Sequence, residues 1–124
     1  MKNAINWFEI PVKNFNRAKK FYENILDVSL QTYDQMPGNS KMAMFPYDNQ
    51  EGVGGCIMEG QGHEPSKKGV LIYLNGGDNL GIPLARVEKA GGKVVMPKTS
   101  IGEHGFMAVF EDTEGNTMAF HSMM

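Results

Sequence analysis

The fold is decided by the stretch Ile5-Asn6-Trp7-Phe8-Glu9-Ile10-Pro11-Val12 and by the helical pattern that follows it. Aromatic and β-branched residues are frequent in this stretch, which predicts a β-strand. Because successive strand side chains point to opposite sides, Phe8 and Ile10 share one face. Trp7 and Glu9 share the other. We expect the first face to pack against a helix and the second to line a cleft.

An amphipathic helix follows this strand. Its apolar residues recur at the i, i+3, i+4, i+7 spacing of one helical face: Ala18, Phe21, Tyr22 and Ile25. Asn14 or Asn16 is expected to cap the first turn, because an asparagine side chain accepts a hydrogen bond from a free backbone N–H. One face of the helix should therefore cover a sheet.

Three further strands are predicted after the helix, at Val28 to Tyr33, Met42 to Pro46 and Val53 to Glu59. Turn-forming residues separate them, including Pro37-Gly38-Asn39 and the polar run from Asp48 to Gly52. Together with the first strand and the helix, they complete a βαβββ unit.

The same order of elements repeats about 65 residues later, after a Gly-containing linker at 60–69. The second copy comprises a strand at Val70 to Leu74, a helix with apolar Leu80, Leu84 and Val87 that ends at Gly91-Gly92, and strands at Lys93 to Met96, Phe106 to Glu111 and Asn116 to His121. The prediction is therefore one α+β domain over 1–124, with one module at about 4–60 and the other at about 70–124.

Composition limits the function. The chain has 124 residues, 41% hydrophobic and 21% charged, which is typical of one soluble domain with a single core. Cys56 is the only cysteine and cannot form an internal disulfide. A lone thiol, with no apolar segment after Met1-Lys2, predicts a cytoplasmic location.

Charge and hydropathy argue against two classes of partner. The formal net charge is −2, and Lys and Arg residues are scattered, so nucleic acid is not an expected partner. No apolar run reaches the roughly 20 residues that a bilayer-spanning helix needs, so no membrane association is expected either.

These residues resemble the glyoxalase/bleomycin-resistance/dioxygenase superfamily, also called the vicinal-oxygen-chelate superfamily. The resemblance is carried by Trp7 to Val12, the RAxxFY pattern of Arg17 to Tyr22, Ala90 to Val94, and Phe110 to Asn116 with its DxxGN hairpin. It is greatest to small proteins related to lactoylglutathione lyase. It implies that each module curls into a half-barrel and that the two halves together form an eight-stranded, half-open, barrel-like cleft.

The resemblance also implies where a metal would bind. Metal-dependent relatives hold a divalent ion with four cleft side chains, usually His, Gln or Glu. Carried over, three of these positions fall on Trp7, Val70 and Ala119, none of which can bind a metal. The fourth lies on the strand Val53 to Glu59, at Gly55, Cys56 or Ile57. We therefore expect no metal cofactor, with a divalent metal held elsewhere as the alternative.

Trp7 and Glu9 are the first candidate site residues. Trp7 replaces a metal ligand with an aromatic wall that suits a planar or cationic ligand, or else it fills the core. Glu9 either acts in a half-apolar cleft, with a raised pKa or paired with a ligand cation or a basic side chain, or is a solvated charge at the strand end.

The last strand and the loop before it supply two histidines. His121 shares a strand face with Ala119 and is predicted at the cleft rim, as an acid or base alongside Glu9 or as an exposed side chain. His104 lies between glycines in a loop that covers the ligand in relatives, or in a plain mobile loop.

The remaining candidates are apolar ligand-binding residues. Cys56 follows two glycines that would let a ligand approach the strand; otherwise it is buried and inert. Ile72 belongs to the same predicted strand as Val70. Phe106 and Phe110 alternate on one strand, either in the cleft lining or in the core.

The leading functional hypothesis is a protein that binds a small organic molecule in a metal-free cleft. The alternative is an enzyme of lyase, isomerase or dioxygenase type, with or without a metal. A structural protein without a ligand is the third class. The chain is expected to form homodimers, and its modules pair either within one chain or between two.

Overall fold

A computed structural model describes residues 2–124 as two four-stranded mixed sheets. The first sheet has the order β1-β4-β3-β2, and the second has the order β5-β8-β7-β6. The strands are β1 (Trp7–Pro11), β2 (Gln31–Tyr33), β3 (Lys41–Met44), β4 (Gly54–Glu59), β5 (Tyr73–Asn75), β6 (Lys93–Ser100), β7 (Phe106–Glu111) and β8 (Thr117–Ser122). The two modules therefore have the same βαβββ order, as predicted.

The first helix, α1 (Phe15–Leu26), forms as the sequence predicts. The Oδ1 atom of Asn14 accepts a hydrogen bond from the backbone N–H of Arg17 at 3.0 Å, which makes Asn14 the cap. The predicted apolar face is buried. Asp27 caps the C-terminal end of the helix in a left-handed conformation with φ 54°. No helix within residues 2–124 is long and apolar enough to cross a membrane.

The second helix and β5 are shorter than predicted. The helix α2 covers only Gly81–Leu84, and the residues that follow form turns. Gly81 at its start lowers the helix propensity, while Leu80 and Val87 are nevertheless fully buried. β5 begins at Tyr73, and residues 70–72 before it are not in a strand, although the carbonyl oxygen of Ile72 accepts a hydrogen bond from the backbone N–H of Ala119 at 3.0 Å.

Helix α1 packs between the two sheets. Its Phe21 ring lies 6.2 Å from that of Phe110 in β7, and its Tyr22 ring lies 5.6 Å from that of Phe45 just after β3. Side chains from both sheets and α1 form one continuous core. We call the face of each sheet that contacts this core the inner face. The outer faces therefore point away from each other.

Hydrogen bonds join the modules along the edge of β1. The side-chain amide of Asn116 donates to the carbonyl oxygen of Pro11 at 2.7 Å. The backbone N–H of Thr117 donates to the carbonyl oxygen of Ser66 in the linker at 3.4 Å. The linker thus lies beside β8, near the end of β1.

Candidate functional site

Strand register identifies the residues on the outer face of the first sheet. Trp7 pairs with Gly54, and Glu9 pairs with Cys56. Register partners share a face, so β4 adds one methionine and the neighbouring strand β3 adds two. The outer face thus comprises Trp7, Glu9, Gly54, Cys56, Met42, Met44 and Met58. As predicted for β1, Trp7 and Glu9 lie opposite the core residues Phe8 and Ile10.

Two aromatic rings meet at one end of this outer face. The Trp7 and Tyr47 rings are edge to face, with centroids 6.3 Å apart and an interplanar angle of 76°. Tyr47 lies over Gly54, because a Cβ atom added there would come within 2.5 Å of its ring. Tyr47 is 46% exposed and Trp7 is half-buried, so both present ring surface to the outside.

Glu9 has a partner that sequence reasoning missed. The Nε2 atom of His63 lies 3.2 Å from the Oε1 atom of Glu9, although the residues are 54 positions apart. His63 is in the linker, where no periodicity indicates which way a side chain points. Its Nδ1 atom is buried and has no hydrogen-bond partner within residues 2–124. The basic side chain anticipated as one possible partner of Glu9 is therefore this histidine.

Cys56 lies beneath these groups and is fully buried. Burial and, to a smaller degree, the charge of Glu9 raise the pKa of its thiol to about 12, although a hydrogen bond with Trp7 partly opposes both effects. Since the thiolate is the nucleophile, Cys56 is suited to lining a pocket and poorly suited to covalent chemistry.

The outer face of the second sheet carries the other predicted histidine. Ala119 pairs with Tyr73 and with Val109, and His121 pairs with Asn75. The Nε2–H group of His121 donates to the backbone oxygen of His104 at 2.7 Å. His104 ends a 3₁₀ turn at Gly102–His104 and is exposed. The structure thus brings His121 and His104 together, on a different sheet from Trp7 and Glu9.

Four predicted ligand-binding residues do not lie on either outer face. Val70 precedes β5 and is 93% exposed, and the β5 residue next to Ala119 is Tyr73. Ile72, Phe106 and Phe110 pack on the core side. Phe110 is fully buried and stacks on Phe120 with a centroid distance of 4.8 Å. Phe106 and Phe110 therefore fit the core alternative, because side-chain alternation along β7 places them on the face opposite to that of Val109.

The donor groups do not fit the metal site of the metal-dependent relatives. Trp7, Val70 and Ala119 offer no donor, and register selects Cys56 for the fourth position because Gly55 and Ile57 face inward. Across residues 2–124, no three His, Cys, Asp or Glu side chains are grouped so that they could hold an ion. A single buried thiol does not hold a divalent metal against water.

A comparison with protein families identifies the chain. Residues 4–120 match the family described as the Glyoxalase/Bleomycin resistance protein/Dioxygenase superfamily. The chain belongs to this family. No curated protein matches it by sequence.

Solved structures share the fold at low sequence identity. The hypothetical protein SA1046 from S. aureus is 19% identical, with a TM-score of 0.66 and coverage of 97% of this chain and 94% of that one. The fosfomycin resistance protein FosX from Listeria monocytogenes is 17% identical, with a TM-score of 0.67 and coverage of 100% and 94%. The V278E glyoxalase I mutant from Zea mays is 18% identical, with a TM-score of 0.69, and the match covers 94% of this chain and 45% of that chain. These likenesses establish the fold alone.

Proposed function

We propose that the chain is a homodimeric protein that binds a small organic molecule without a metal, between the first sheet's outer face in one subunit and the second sheet's outer face in its partner. The observation that carries the proposal is the position of α1 between the sheets, because it turns both outer faces towards solvent. The two faces of a single chain cannot then enclose one ligand.

Exposed apolar side chains on both outer faces support the dimer. Tyr33 and Tyr73 are 43% and 50% exposed, and Met96 is 41% exposed. Apolar surface of this kind commonly marks an interaction site. A two-fold axis lets each chain cover both faces of its partner and creates two equal pockets.

The chemistry of the first outer face favours a planar cation as the ligand. Trp7 and Tyr47 offer two aromatic faces at nearly a right angle. Glu9 adds a carboxylate whose side chain is 41% exposed although His63 contacts its Oε1 atom. Cations bind over aromatic rings, and the methionines of this face adapt to varied apolar shapes.

A matched pair of probes tests the ligand class. 1-Methylquinolinium and 1-methylnaphthalene have nearly the same shape, and only the first carries a charge. Trp7 is the only tryptophan, so its fluorescence reports this face directly. We expect the cation to bind more tightly by about fivefold to thirtyfold, which corresponds to about 1–2 kcal/mol.

Glu9→Gln should weaken binding of the cation and leave binding of the neutral probe unchanged. Glu103→Gln, in the exposed turn, is the matched control and should change neither. Equal affinity for the two probes would contradict the cation preference. Absence of quenching by either would contradict a pocket at Trp7.

An enzyme that transfers a proton is the second candidate, and the Glu9–His63 pair favours it. A carboxylate and an imidazole 3.2 Å apart can exchange a proton with a bound substrate. Glu9 and His121, the pair expected from the sequence, would meet only across the dimer. Elemental analysis of protein purified without chelator tests the metal-dependent version, because stoichiometric Zn, Ni or Fe would contradict a metal-free pocket.

A further inference from the structure

A second cavity, of about 600 Å³, lies between the inner faces of the two sheets. Phe8 and Phe45 of the first module form one wall, and Ile72 and Leu74 of the second form the opposite wall. Leu26 closes the end where α1 stops. Because Phe8 and Trp7 are consecutive in β1, this cavity and the outer face lie on opposite sides of the same strand.

The cavity exists because the helices do not fill the whole space between the sheets. Helix α1 ends at Leu26, and α2 is only four residues long. Protein interiors normally pack with few voids larger than a water molecule. An apolar space of this size therefore leaves many side-chain contacts unmade unless something occupies it.

The lining specifies a neutral occupant. Within residues 2–124, no Asp, Glu, Lys, Arg or His lines the cavity. The Phe8 and Phe45 rings lie 5.6 Å apart at an angle of 38°, which gives a broad aromatic wall. The Oδ1 atom of Asn75 at the edge already accepts a hydrogen bond from the backbone N–H of Gly77. A charged ligand would lose its hydration here without gaining a partner of opposite charge among the lining residues.

The cavity opens to solvent through apolar residues. Ile5 is 53% exposed, Val70 is 93% exposed and Leu71 is 38% exposed, and all three belong to its lining. These residues make an apolar rim that continues into the cavity. A small apolar molecule can therefore enter without unfolding the core.

We propose that this inner cavity binds a neutral, predominantly apolar small molecule, about the size of a two-ring or three-ring aromatic compound. Its volume lies in the range of about 300–1,000 Å³ that is usual for small-molecule sites. The site is independent of the outer-face pocket and differs from it in ligand charge, since the outer face carries Glu9 and, within the described residues, no Asp, Glu, Lys, Arg or His lines the inner cavity.

The neutral fluorescent probe N-phenyl-1-naphthylamine tests this proposal. We expect one bound probe per chain, with enhanced and blue-shifted emission. Val28→Phe and Val53→Phe each add a ring to the cavity and should weaken binding at least about tenfold. Trp7→Phe, on the opposite face of the first sheet, is the control and should leave probe binding unchanged.

The proposal would be overturned by unchanged affinity in both filled variants, by loss of binding in Trp7→Phe, or by displacement of the probe as rising protein concentration drives dimer formation. The last result would show that a second copy of this chain, and not a small molecule, occupies the cavity. Far-UV circular dichroism verifies that the variants fold. Nuclear Overhauser contacts from the probe to the methyl groups of Leu26 and Ile72 test the site in the unaltered protein, and their absence at saturating probe would also exclude it.

Discussion

Arg17 and Glu114 form a two-point ion pair across 97 positions of sequence. The Nε–H of Arg17 donates to Oε2 of Glu114 at 2.7 Å, and its Nη2–H donates to Oε1 at 3.0 Å. The same Oε1 accepts the backbone N–H groups of Lys13 at 2.9 Å and Asn14 at 2.7 Å. One buried carboxylate from the β7–β8 hairpin therefore anchors the start of α1 and holds the two modules together.

Glu114→Gln should destabilise the fold by about 3 kcal/mol, because it removes a buried charge and leaves Arg17 without its partner. The free energy of unfolding in urea measures the effect. Glu103→Gln is the matched control, since Glu103 is exposed and should change stability by less than about 0.5 kcal/mol. If Glu114→Gln lowers the free energy of unfolding no more than the control does, the ion pair between Arg17 and Glu114 contributes little to stability.

The same residue should make stability depend on pH. Burial of the Glu114 carboxylate raises its pKa, but hydrogen bonds from Arg17, Asn14, Thr113 and Lys13 outweigh burial and hold the pKa below its ordinary value. A lowered pKa in the folded state contributes stability above the unfolded-state pKa and loses it as pH falls through the folded-state pKa. Between about pH 5 and pH 2 the unaltered protein should therefore lose more stability than Glu114→Gln. Parallel curves of unfolding free energy against pH would contradict this linkage.

Tyr22→Phe should cost about 1–3 kcal/mol of stability. The Tyr22 hydroxyl donates to Oδ2 of buried Asp112 at 2.6 Å, so its removal leaves that carboxylate with one partner fewer. Burial and the neighbouring charge of Asp112 raise the pKa of Tyr22 well above its ordinary value. Tyr33→Phe, at an exposed tyrosine, is the control, and thermal unfolding of both variants provides the measurement.

Cys56 should react slowly with iodoacetamide. With its pKa raised to about 12, the thiolate population near neutral pH is very small. At pH 8 we expect alkylation of the folded protein at least about a hundredfold slower than in urea. Mass spectrometry follows the reaction at this only cysteine. A folded-state rate close to the unfolded one would contradict both the burial and the raised pKa.

Mixing two inactive variants should restore binding sites if each pocket is shared between subunits. Trp7→Ala removes the aromatic wall of one outer face, and Val109→Trp blocks the other. A heterodimer of these chains has one intact site, so random mixing should recover about a quarter of the unaltered protein's sites for 1-methylquinolinium.

Light scattering of the unaltered protein should give twice the chain mass. Recovery of no sites after subunit exchange, or a monomer in solution, would contradict a pocket shared between chains. Binding sites are recovered only if the two variants exchange subunits. A mixture of the two variants that is unfolded and refolded together ensures this exchange.

Local patterns in the sequence predicted the elements whose own residues decide them. Helix α1 follows its apolar spacing and its Asn14 cap, and β7 occupies the predicted residues Phe106–Glu111. The predicted hairpin turn before Asn116 has a left-handed Gly115 with φ 94°. Helix α2 was overestimated, because the regular helix stops at Leu84 although the apolar spacing continues to Val87.

Such local patterns did not predict contacts between residues that are far apart in the sequence. His63 was assigned only to the linker, yet it lies beside Glu9. Val70 and Ala119 were carried over as two positions of one metal site, whereas the strand pairing places Tyr73 beside Ala119. Each of these results depends on how far a loop runs before the next strand begins, and composition does not specify that length.

The sequence by itself determined the family, the order of elements, and which side chains share each strand face, because periodicity and capping act over a few residues. Only the tertiary structure decided that α1 lies between the sheets, with Phe21 against Phe110 and Tyr22 against Phe45. The physical reason is that burying apolar surface drives packing without specifying direction, so the direction is set by contacts such as Arg17 to Glu114 that join residues far apart in the chain.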